Sequence, residues 1–442
     1  MHESPKRQPD RAGSKLTKIL LGLRKKMLHS IDLFAGCGGL SLGLENAGFT
    51  PIFVSELNSD ALNTYLNNRD GLFPHLRSKY KCQNIKEVVT NESFFDDLMS
   101  GITKDFKRNY KKNSLDLLVG GPPCQGFSGI GIRRSYSVDK VQLPSNHLFE
   151  DMAFFIHKTN PKAFVFENVE GLLSAKWTKD GVKGEIFQEV LNTFRMIPNY
   201  QVKYKLVHAK DYGVPQNRPR ILIVGFRHDV FTTSNLSDDA IECGFLPKPT
   251  GNAPNLCDVL DDLIDEDFEY GGETTKYPQK VMSEFQREMR TRLDGSVSRK
   301  GDRLTEHHYS KHSEIVRSKF KAMILNNGYI PPEYKTKKFA QRLLPERWDN
   351  RGPTITATSL PDDFVHYAQA RVPTVREWAR LQTFPDWYQF AGKRTTGGIR
   401  RAGNPRENNF EREVPKYTQI GNAVPVKLGK AIGDHIAKIL MK

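Results

Sequence analysis

This 442-residue chain contains the stretch Leu118-Val-Gly-Gly-Pro-Pro-Cys-Gln-Gly-Phe-Ser128, to which its other motifs can be related. The apolar residues at and before its start are typical of the end of a buried strand, and two glycines and two prolines predict an abrupt turn. The turn presents the thiol of Cys124 at the carboxyl end of a strand, where α/β proteins bind ligands. A proline-rich turn with a structural cysteine is the alternative interpretation.

A glycine-rich turn lies upstream, between a predicted strand over residues 28–34 and a predicted helix over 41–47. Strand, glycine-rich turn and helix are the nucleotide-binding opening of a doubly wound fold. A second strand over 52–56 ends in Glu56, 20 residues after Gly36, which is the place where such folds bind ribose hydroxyls. The pattern predicts a nucleoside-containing cofactor, and a packing turn with a solvated glutamate is the alternative.

Polar residues follow other predicted strands. Asn84 ends the approach to a third strand, and Glu167 directly follows a strand over 163–166 that is apolar throughout and therefore buried on both faces. A carboxylate at such a place needs a partner or a chemical role. Arg218 and Arg220 precede the next apolar strand and, being two residues apart, point the same way. They can form a paired clamp for an anionic group or for Glu167, or they are a solvated basic edge.

The composition indicates which classes of protein this chain can belong to. The net charge of +15 and the pI near 9.4 suit a polyanionic partner such as nucleic acid. The five scattered cysteines include no C-x-x-C pair, which argues against a zinc site and against a disulfide framework. We expect no membrane span, because no apolar run approaches 18 residues, and a cytoplasmic location, because the basic start of the chain lacks the apolar core of a signal peptide.

The α/β alternation stops near residue 231 and resumes near 353, which predicts an inserted domain over 231–352. A helix is then predicted over 373–382, with Thr374 as N-cap and Glu377 completing a capping box. Other helices are predicted over 58–68, 86–106, 146–158, 184–197 and at the end of the chain, and a strand over 202–207.

In this order the motifs closely resemble the cytosine-C5 DNA methyltransferases of bacterial restriction–modification systems. Residues 32–39 look like the first motif, which cups the methionine part of S-adenosylmethionine, and Glu56 matches the ribose-binding acid. The remaining matches are the catalytic loop at 121–128, the cytosine-holding motif at 167–169, the arginine motif at 216–220, the supporting helix at 371–385 and the last motif at 419–424. These matches extend over residues 28–442.

The resemblance implies an α/β fold: a doubly wound, Rossmann-like methyltransferase sheet with a smaller inserted target recognition domain. It divides the chain into a basic tail (1–27), a catalytic and cofactor-binding domain (28–230, completed by 415–442), the recognition domain (231–352), and a supporting helix with a basic glycine-rich loop (353–414).

The resemblance also implies the site. Cys124 attacks the cytosine, Glu167 holds its N3/N4 edge, Arg220 holds its O2, and Arg218 orders the catalytic loop. S-adenosylmethionine is the methyl donor, with no metal. Its expected contacts are Phe34, Gly36, Gly38, Gly39, Glu56, Leu57, Asn84, Ile85, Pro122, Leu148, Asn422 and Ala423.

Two features depart from the family pattern. Asn84 stands where the family usually has the aspartate that takes the adenine amino group, although an amide oxygen also accepts a hydrogen bond. The basic glycine-rich loop at 393–412 is long, and its role is open. The expected partners are double-stranded DNA and a cognate restriction endonuclease, with the protein acting as a monomer; the recognition sequence is not readable.

Three other functions fit parts of the pattern. A nicotinamide-dependent dehydrogenase would use residues 36–39 and Glu56, but it leaves Cys124 and Glu167 without a joint role. A catalytically idle DNA-binding protein has no need of an intact Cys124 and Glu167. A tRNA cytosine-C5 methyltransferase of the same fold has no need of a large basic insertion suited to reading a duplex.

Overall fold

A computed structural model describes residues 27–110, 114–123, 147–234, 236, 238–335, 341–349, 352–356, 363–395 and 413–442. Four features of the sequence lie outside these ranges: Cys124, the loop that follows it, the N-terminal tail up to residue 26, and most of the basic glycine-rich loop (396–412).

The central sheet is built from β1 Leu28–Leu33, β2 Phe49–Ser55, β3 Lys81–Cys82, β4 Leu117–Gly120, β5 Ala163–Val169, β6 Tyr200–His208 and β7 Pro219–Arg227. Within the described ranges the spatial order is β3-β2-β1-β4-β5-β7-β6. The strands from β3 to β5 are parallel, and β7 is antiparallel to both β5 and β6. The chain builds outward in opposite directions from β1 and β4, so the topological switch point lies between these two strands.

Helices cover both faces of this sheet. The helices of the described residues are α1 Gly39–Asn46, α2 Ser59–Asn67, α3 Pro74–Ser78, α4 Ile85–Val89, α5 Glu92–Phe106, α6 Leu148–Thr159, α7 Glu185–Arg195, α8 His228–Thr233, α9 Asp238–Glu242, α10 Leu256–Leu260, α11 Glu284–Arg290, α12 Glu314–Leu325, α13 Val375–Leu381, α14 Lys416–Asn422 and α15 Val426–Leu440. Two short strands, β8 Arg342–Leu343 and β9 Phe364–Val365, pair in parallel. None of the described helices is long and apolar enough to cross a membrane.

Strand β4 illustrates why the sheet is buried on both sides. Leu118 packs in one core cluster with residues of α5, α6 and α7, whereas Leu117 and Val119 pack in the other with residues of α1 and α15. Because successive side chains of a strand point to opposite faces, a strand between two helix layers must be apolar at every position. The doubly wound fold class is confirmed.

Hydrogen bonds explain two of the differences between the predicted elements and the structure. The helix predicted over 86–106 is interrupted, because the side chain of Asn91 accepts a hydrogen bond from Phe94 N at 3.2 Å and so caps a second helix, α5. Strand β5 is longer than predicted and continues through Val169. The cause is antiparallel pairing with β7, in which Glu167 faces Leu222 across the ladder, so Glu167 lies inside the strand and not after it.

Apolar contacts join the region after β7 to two of the core clusters. Phe245 and Leu246 pack in the core cluster that contains Phe226 of β7. Leu256 and Leu260 of α10 pack in the cluster that contains Trp378 of α13 and Tyr417 of α14. The predicted capping box at the start of α13 is present, with Thr374 and Glu377 exchanging both hydrogen bonds. The division of the chain at residues 231 and 352 stays a prediction.

Candidate active site

The candidate site lies at the carboxyl ends of β1, β2 and β4. Leu33 and Gly120, the last residues of β1 and β4, are paired across the ladder, so the glycine turn and the start of the Cys124 stretch leave the sheet side by side. Ser55, the last residue of β2, pairs with Leu33 on the other side. Parallel sheets bind their ligands at this edge, beside the switch point.

The turn after β1 has an unusual backbone. Phe34, Gly36 and Gly38 have positive φ angles of 59°, 57° and 86°. A methyl group placed on Gly36 would meet no atom within 4 Å, so the turn presents open space at this residue. At Gly39 the added methyl group would lie 2.3 Å from the carbonyl oxygen of Val424. The last motif therefore reaches the first helical turn of α1.

Glu56 is bonded directly to the glycine turn. Its Oε2 accepts from Gly36 N and its Oε1 from Asn58 N, each at 2.8 Å. Burial raises the pKa of Glu56, and the two backbone N–H groups oppose that shift. The carboxylate of Glu56 can accept hydrogen bonds from ribose hydroxyls, and the open glycine turn lets the backbone approach a ligand closely. These residues therefore fit S-adenosylmethionine. The neighbouring Leu57 is 67 % exposed.

The other predicted cofactor contacts come from separate elements. Asn84 is exposed and caps α4, and its Oδ1 accepts from Lys86 N at 3.1 Å. An amide oxygen accepts two hydrogen bonds, so this cap leaves room for an adenine amino group. Ile85 is buried beside it, and Leu148 is the first residue of α6. Asn422 ends α14 with its side chain exposed.

Among the described residues, the predicted catalytic residue Glu167 forms an ion pair with Arg220. Arg220 Nε lies 2.6 Å from Glu167 Oε1, and each side chain is about a tenth exposed, at 10 % and 11 %. The other carboxylate oxygen faces Gly121, where an added methyl group would lie 2.9 Å from Glu167 Oε2. Asn168 Nδ2 donates to the carbonyl oxygen of Pro122 at 3.3 Å. Strand β5 thus contacts the residues that immediately precede Cys124 in the sequence.

Arg218 does not join this ion pair. It is buried, and its guanidinium donates to the carbonyl oxygens of Ile355, Gly421 (2.7 Å) and Asn422 (3.3 Å). Burial and the nearby charge of Arg220 lower the pKa of Arg218 well below its usual value, although the charge of Glu167 opposes this. The two arginines therefore do not form the paired clamp that their spacing allows; Arg218 instead ties the start of β7 to the end of α14.

The sequence matches the family model of the C-5 cytosine-specific DNA methylases over residues 28–438. The chain belongs to this family. Its relatives include the type II methyltransferase M.DdeI of Desulfomicrobium norvegicum, which is 30 % identical over 429 residues covering 93 % of this chain and 88 % of the relative. Another is the type II methyltransferase M.XorII of Xanthomonas oryzae, 30 % identical over 428 residues covering 93 % and 85 %.

Solved structures support the same fold for this methylase. The crystal structure of a putative DNA modification methyltransferase encoded within an E. coli prophage superposes with a TM-score of 0.64 at 23 % identity, covering 94 % of this chain and 100 % of that one. The methylase is a DNA (cytosine-5-)-methyltransferase of the restriction–modification type, and its family takes the methyl group from S-adenosylmethionine.

Sequence reasoning missed a polar cluster behind the glycine turn of this methylase. Asp32 of β1 is buried, its pKa is raised to about 7 by that burial, and it accepts a hydrogen bond from Ser41. Arg69, after α2, is buried nearby and contacts Gly38, and Tyr388 joins it from a distant part of the chain. A charged residue at the end of a polar helix is usually solvated, so nothing in the local sequence marks Arg69 as buried.

Proposed function

We propose that this enzyme methylates C5 of a flipped-out cytosine in a specific duplex DNA sequence through a covalent bond between Cys124 and C6 of the base. The observation that carries the proposal is the Glu167–Arg220 ion pair at 2.6 Å, which contacts Gly121, three residues before Cys124. An acceptor and a donor of hydrogen bonds are thereby held together next to Gly121, at the edge of the sheet that carries the cofactor turn.

C5 of cytosine is not nucleophilic enough to accept a methyl group unaided, and covalent catalysis overcomes this. Addition of the Cys124 thiolate to C6 makes C5 enamine-like and therefore nucleophilic. Glu167 holds the N3/N4 edge of the base and, when it carries a proton, donates to N3 and so offsets the negative charge that develops there, while Arg220 holds O2. S-adenosylmethionine, when bound, supplies the methyl group. Loss of the C5 proton then restores the double bond, breaks the Cys124–C6 bond and releases the thiolate.

The reacting atoms of cytosine lie inside the duplex, so the base must leave the stack. We assign closure over the flipped base to the loop at residues 125–134, which lies outside the described residues. The region at 231–352 is proposed to read bases in the major groove, and basic residues of the loop at 393–412 to contact phosphates, which position the protein without specifying the sequence.

The cofactor proposal makes a measurable prediction at Glu56. Glu56→Ala removes a charged acceptor of the ribose hydroxyls and also the partner of Gly36 N and Asn58 N. Because a hydrogen bond to a charged group is worth about 1.5–3 kcal/mol, calorimetry should show S-adenosylmethionine bound roughly tenfold more weakly or worse. The matched control is Glu92→Ala, at an exposed ion pair with Lys158, and should leave that affinity unchanged. Equal affinities in both variants would contradict the ribose role.

The substrate is tested by offering the purified protein two nucleic acids. With labelled S-adenosylmethionine, we expect methyl incorporation into duplex DNA and none into tRNA. Bisulfite or nanopore sequencing of DNA from a host that expresses the chain should then find 5-methylcytosine in one recurring sequence. Labelling of tRNA alone would favour the tRNA methyltransferase instead, and DNA binding without labelling would favour a catalytically idle protein.

The biological setting follows from the type II methyltransferase names of the relatives. We propose that the enzyme acts as a monomer in the cytoplasm, where it associates with the nucleoid and protects host DNA from a partner endonuclease. The partner would be an endonuclease that cuts the same sequence when it is unmethylated.

A further inference from the structure

Arg69 is a buried cation that contacts the back of the glycine turn. It is 1 % exposed, and its Nε pairs with Glu45 of α1 at 2.6 Å. Its Nη2 donates to the carbonyl oxygen of Gly38 at 3.2 Å, and its Nη1 donates to the hydroxyl of Tyr388 at 2.9 Å. The guanidinium also stacks on the ring of Tyr65, 3.8 Å from the ring centre. Burying an arginine is costly unless its donors are used, and here they are directed at Gly38 of the turn, at Glu45 of α1, at Tyr388 and at the carbonyl oxygen of Tyr65 (3.0 Å).

Tyr388 extends this contact to the preceding residue of the turn. Its hydroxyl donates to the carbonyl oxygen of Cys37 at 2.6 Å. A hydroxyl has one proton, so a hydroxyl that donates to Cys37 must accept from Arg69, and the direction of both bonds is determined. Two successive carbonyl groups, of Cys37 and Gly38, are therefore held by one pair of side chains.

The fit between turn and guanidinium is close. A methyl group on Gly38 would lie 2.8 Å from Arg69 Nη1 and equally close to the ring of Tyr65. Gly38 therefore has a positive φ of 86° and is also in direct contact with Arg69, which leaves no space for a side chain at this position. The same turn has the open space at Gly36 and the bond from Gly36 N to Glu56.

Residues of α13 and of the segment that follows it hold Tyr388 in place. Arg376 Nη2 donates to the carbonyl oxygen of Tyr388 at 2.9 Å, and the ring packs against Phe384 and Phe390. The hydroxyl therefore reaches Cys37 from a rigid support, which a solvent-exposed tyrosine would not provide.

We infer that Arg69 and Tyr388 are positioning residues that hold the glycine turn in the shape that binds S-adenosylmethionine. Neither touches the reacting atoms. They act through the carbonyl groups of Cys37 and Gly38, whose orientation sets that of the backbone facing the ligand at Gly36. The inference rests on the proposed cofactor site. A turn that is already ordered before binding loses less conformational entropy when the ligand arrives, so the pair contributes to affinity.

Tyr388→Phe is the sharpest test, because it removes one hydroxyl and keeps the ring. We expect the dissociation constant and the KM for S-adenosylmethionine to rise roughly three- to tenfold, the range that one net hydrogen bond supports. The kcat at saturating S-adenosylmethionine and the KM for DNA should stay as in the wild type. A general loss of structure would move these quantities together.

The matched control is Tyr200→Phe. Tyr200 is also buried, and its hydroxyl also donates to a backbone carbonyl, that of Pro161, but it lies on β6 at the far edge of the sheet. The control should leave the KM for S-adenosylmethionine unchanged.

Arg69→Lys is the second variant: the ammonium keeps the charge beside Glu45 but lacks the planar fork that reaches both Gly38 and Tyr388, so it should also weaken binding.

The outcomes are separable. Failure of the wild type to bind S-adenosylmethionine would overturn the proposed cofactor, whereas wild-type affinity in both Tyr388→Phe and Arg69→Lys would overturn this inference alone. For a variant that melts early, the rise in melting temperature caused by S-adenosylmethionine gives the same comparison, since stabilisation by a ligand depends on its dissociation constant. An unchanged rise would count against the inference and a reduced rise supports it.

Discussion

Replacing Cys124 by alanine is expected to abolish methyl transfer to DNA. The nucleophile must be a thiolate, and two of the other cysteines are poorly suited to provide one. Burial raises the pKa of Cys37 to about 12 and that of Cys82 to about 11, so both remain thiols at neutral pH. Cys124 follows Pro122 and Pro123 in the sequence, and the carbonyl of Pro122 is bonded to Asn168 of the strand that carries Glu167.

A suicide substrate makes this expectation specific to the covalent step. Duplex DNA with 5-fluorocytosine at the target position should form a stable adduct with the wild type, because fluorine cannot leave C5 as a proton does. Cys124→Ala should form no adduct and yet bind S-adenosylmethionine as the wild type does, which shows that the protein is folded. The control Cys243→Ala, at a partly exposed residue after α9, should keep both adduct and activity. An adduct surviving in Cys124→Ala would refute the assignment.

Replacing Arg380 by methionine should destabilise the protein by about 3–5 kcal/mol, the cost of breaking a buried ion pair by removing one partner. Arg380 of α13 has no exposed surface and donates to both carboxylate oxygens of Asp386, at 2.9 and 2.6 Å. It also donates to both carboxylate oxygens of Asp262, at 2.5 and 3.1 Å. Burial alone would raise the pKa of Asp386, but the charge of Arg380 holds it below its usual value. The variant would leave two buried carboxylates short of a cation.

Chemical denaturation measures this loss directly. The control Arg287→Met removes an exposed arginine whose 3.4 Å ion pair with Glu284 is open to solvent, and it should cost less than about 1 kcal/mol. Adding Asp386→Asn to Arg380→Met should restore part of the loss, since one unpaired charge is removed. A cost for Arg380→Met as small as that of the control would mean that the buried pairs contribute no net stability.

Arg380 also joins parts of the chain that are far apart in sequence. Besides Asp262 it bonds the carbonyl oxygen of Val259 at 2.8 Å, so α13 holds residues of the proposed recognition domain. We therefore expect the Arg380→Met variant to lose affinity for its DNA target before it loses S-adenosylmethionine binding. The sequence predicted α13 from its capping box, but no local pattern shows that its arginines are buried against acidic partners.

The sequence by itself determined the order of the candidate site residues along this chain: a glycine turn, an acid 20 residues later, a cysteine after a buried strand, and a glutamate predicted to follow the next strand. Each of these is local, because a run of apolar residues and the residue that ends it are neighbours in the chain. The 20-residue spacing typical of nucleotide-binding folds assigned Gly36 and Glu56 to one ligand, and the structure bonds them directly.

Tertiary structure alone decided which side chains meet. Glu167 pairs with Arg220 and not with Arg218 because β5 and β7 run antiparallel in one particular register, and β5 is lengthened by the same pairing. Arg69 and Tyr388 are 319 residues apart, and only the folded chain brings their bond behind the glycine turn. Contacts of this kind depend on the packing of several elements at once, so no local pattern of residues predicts them.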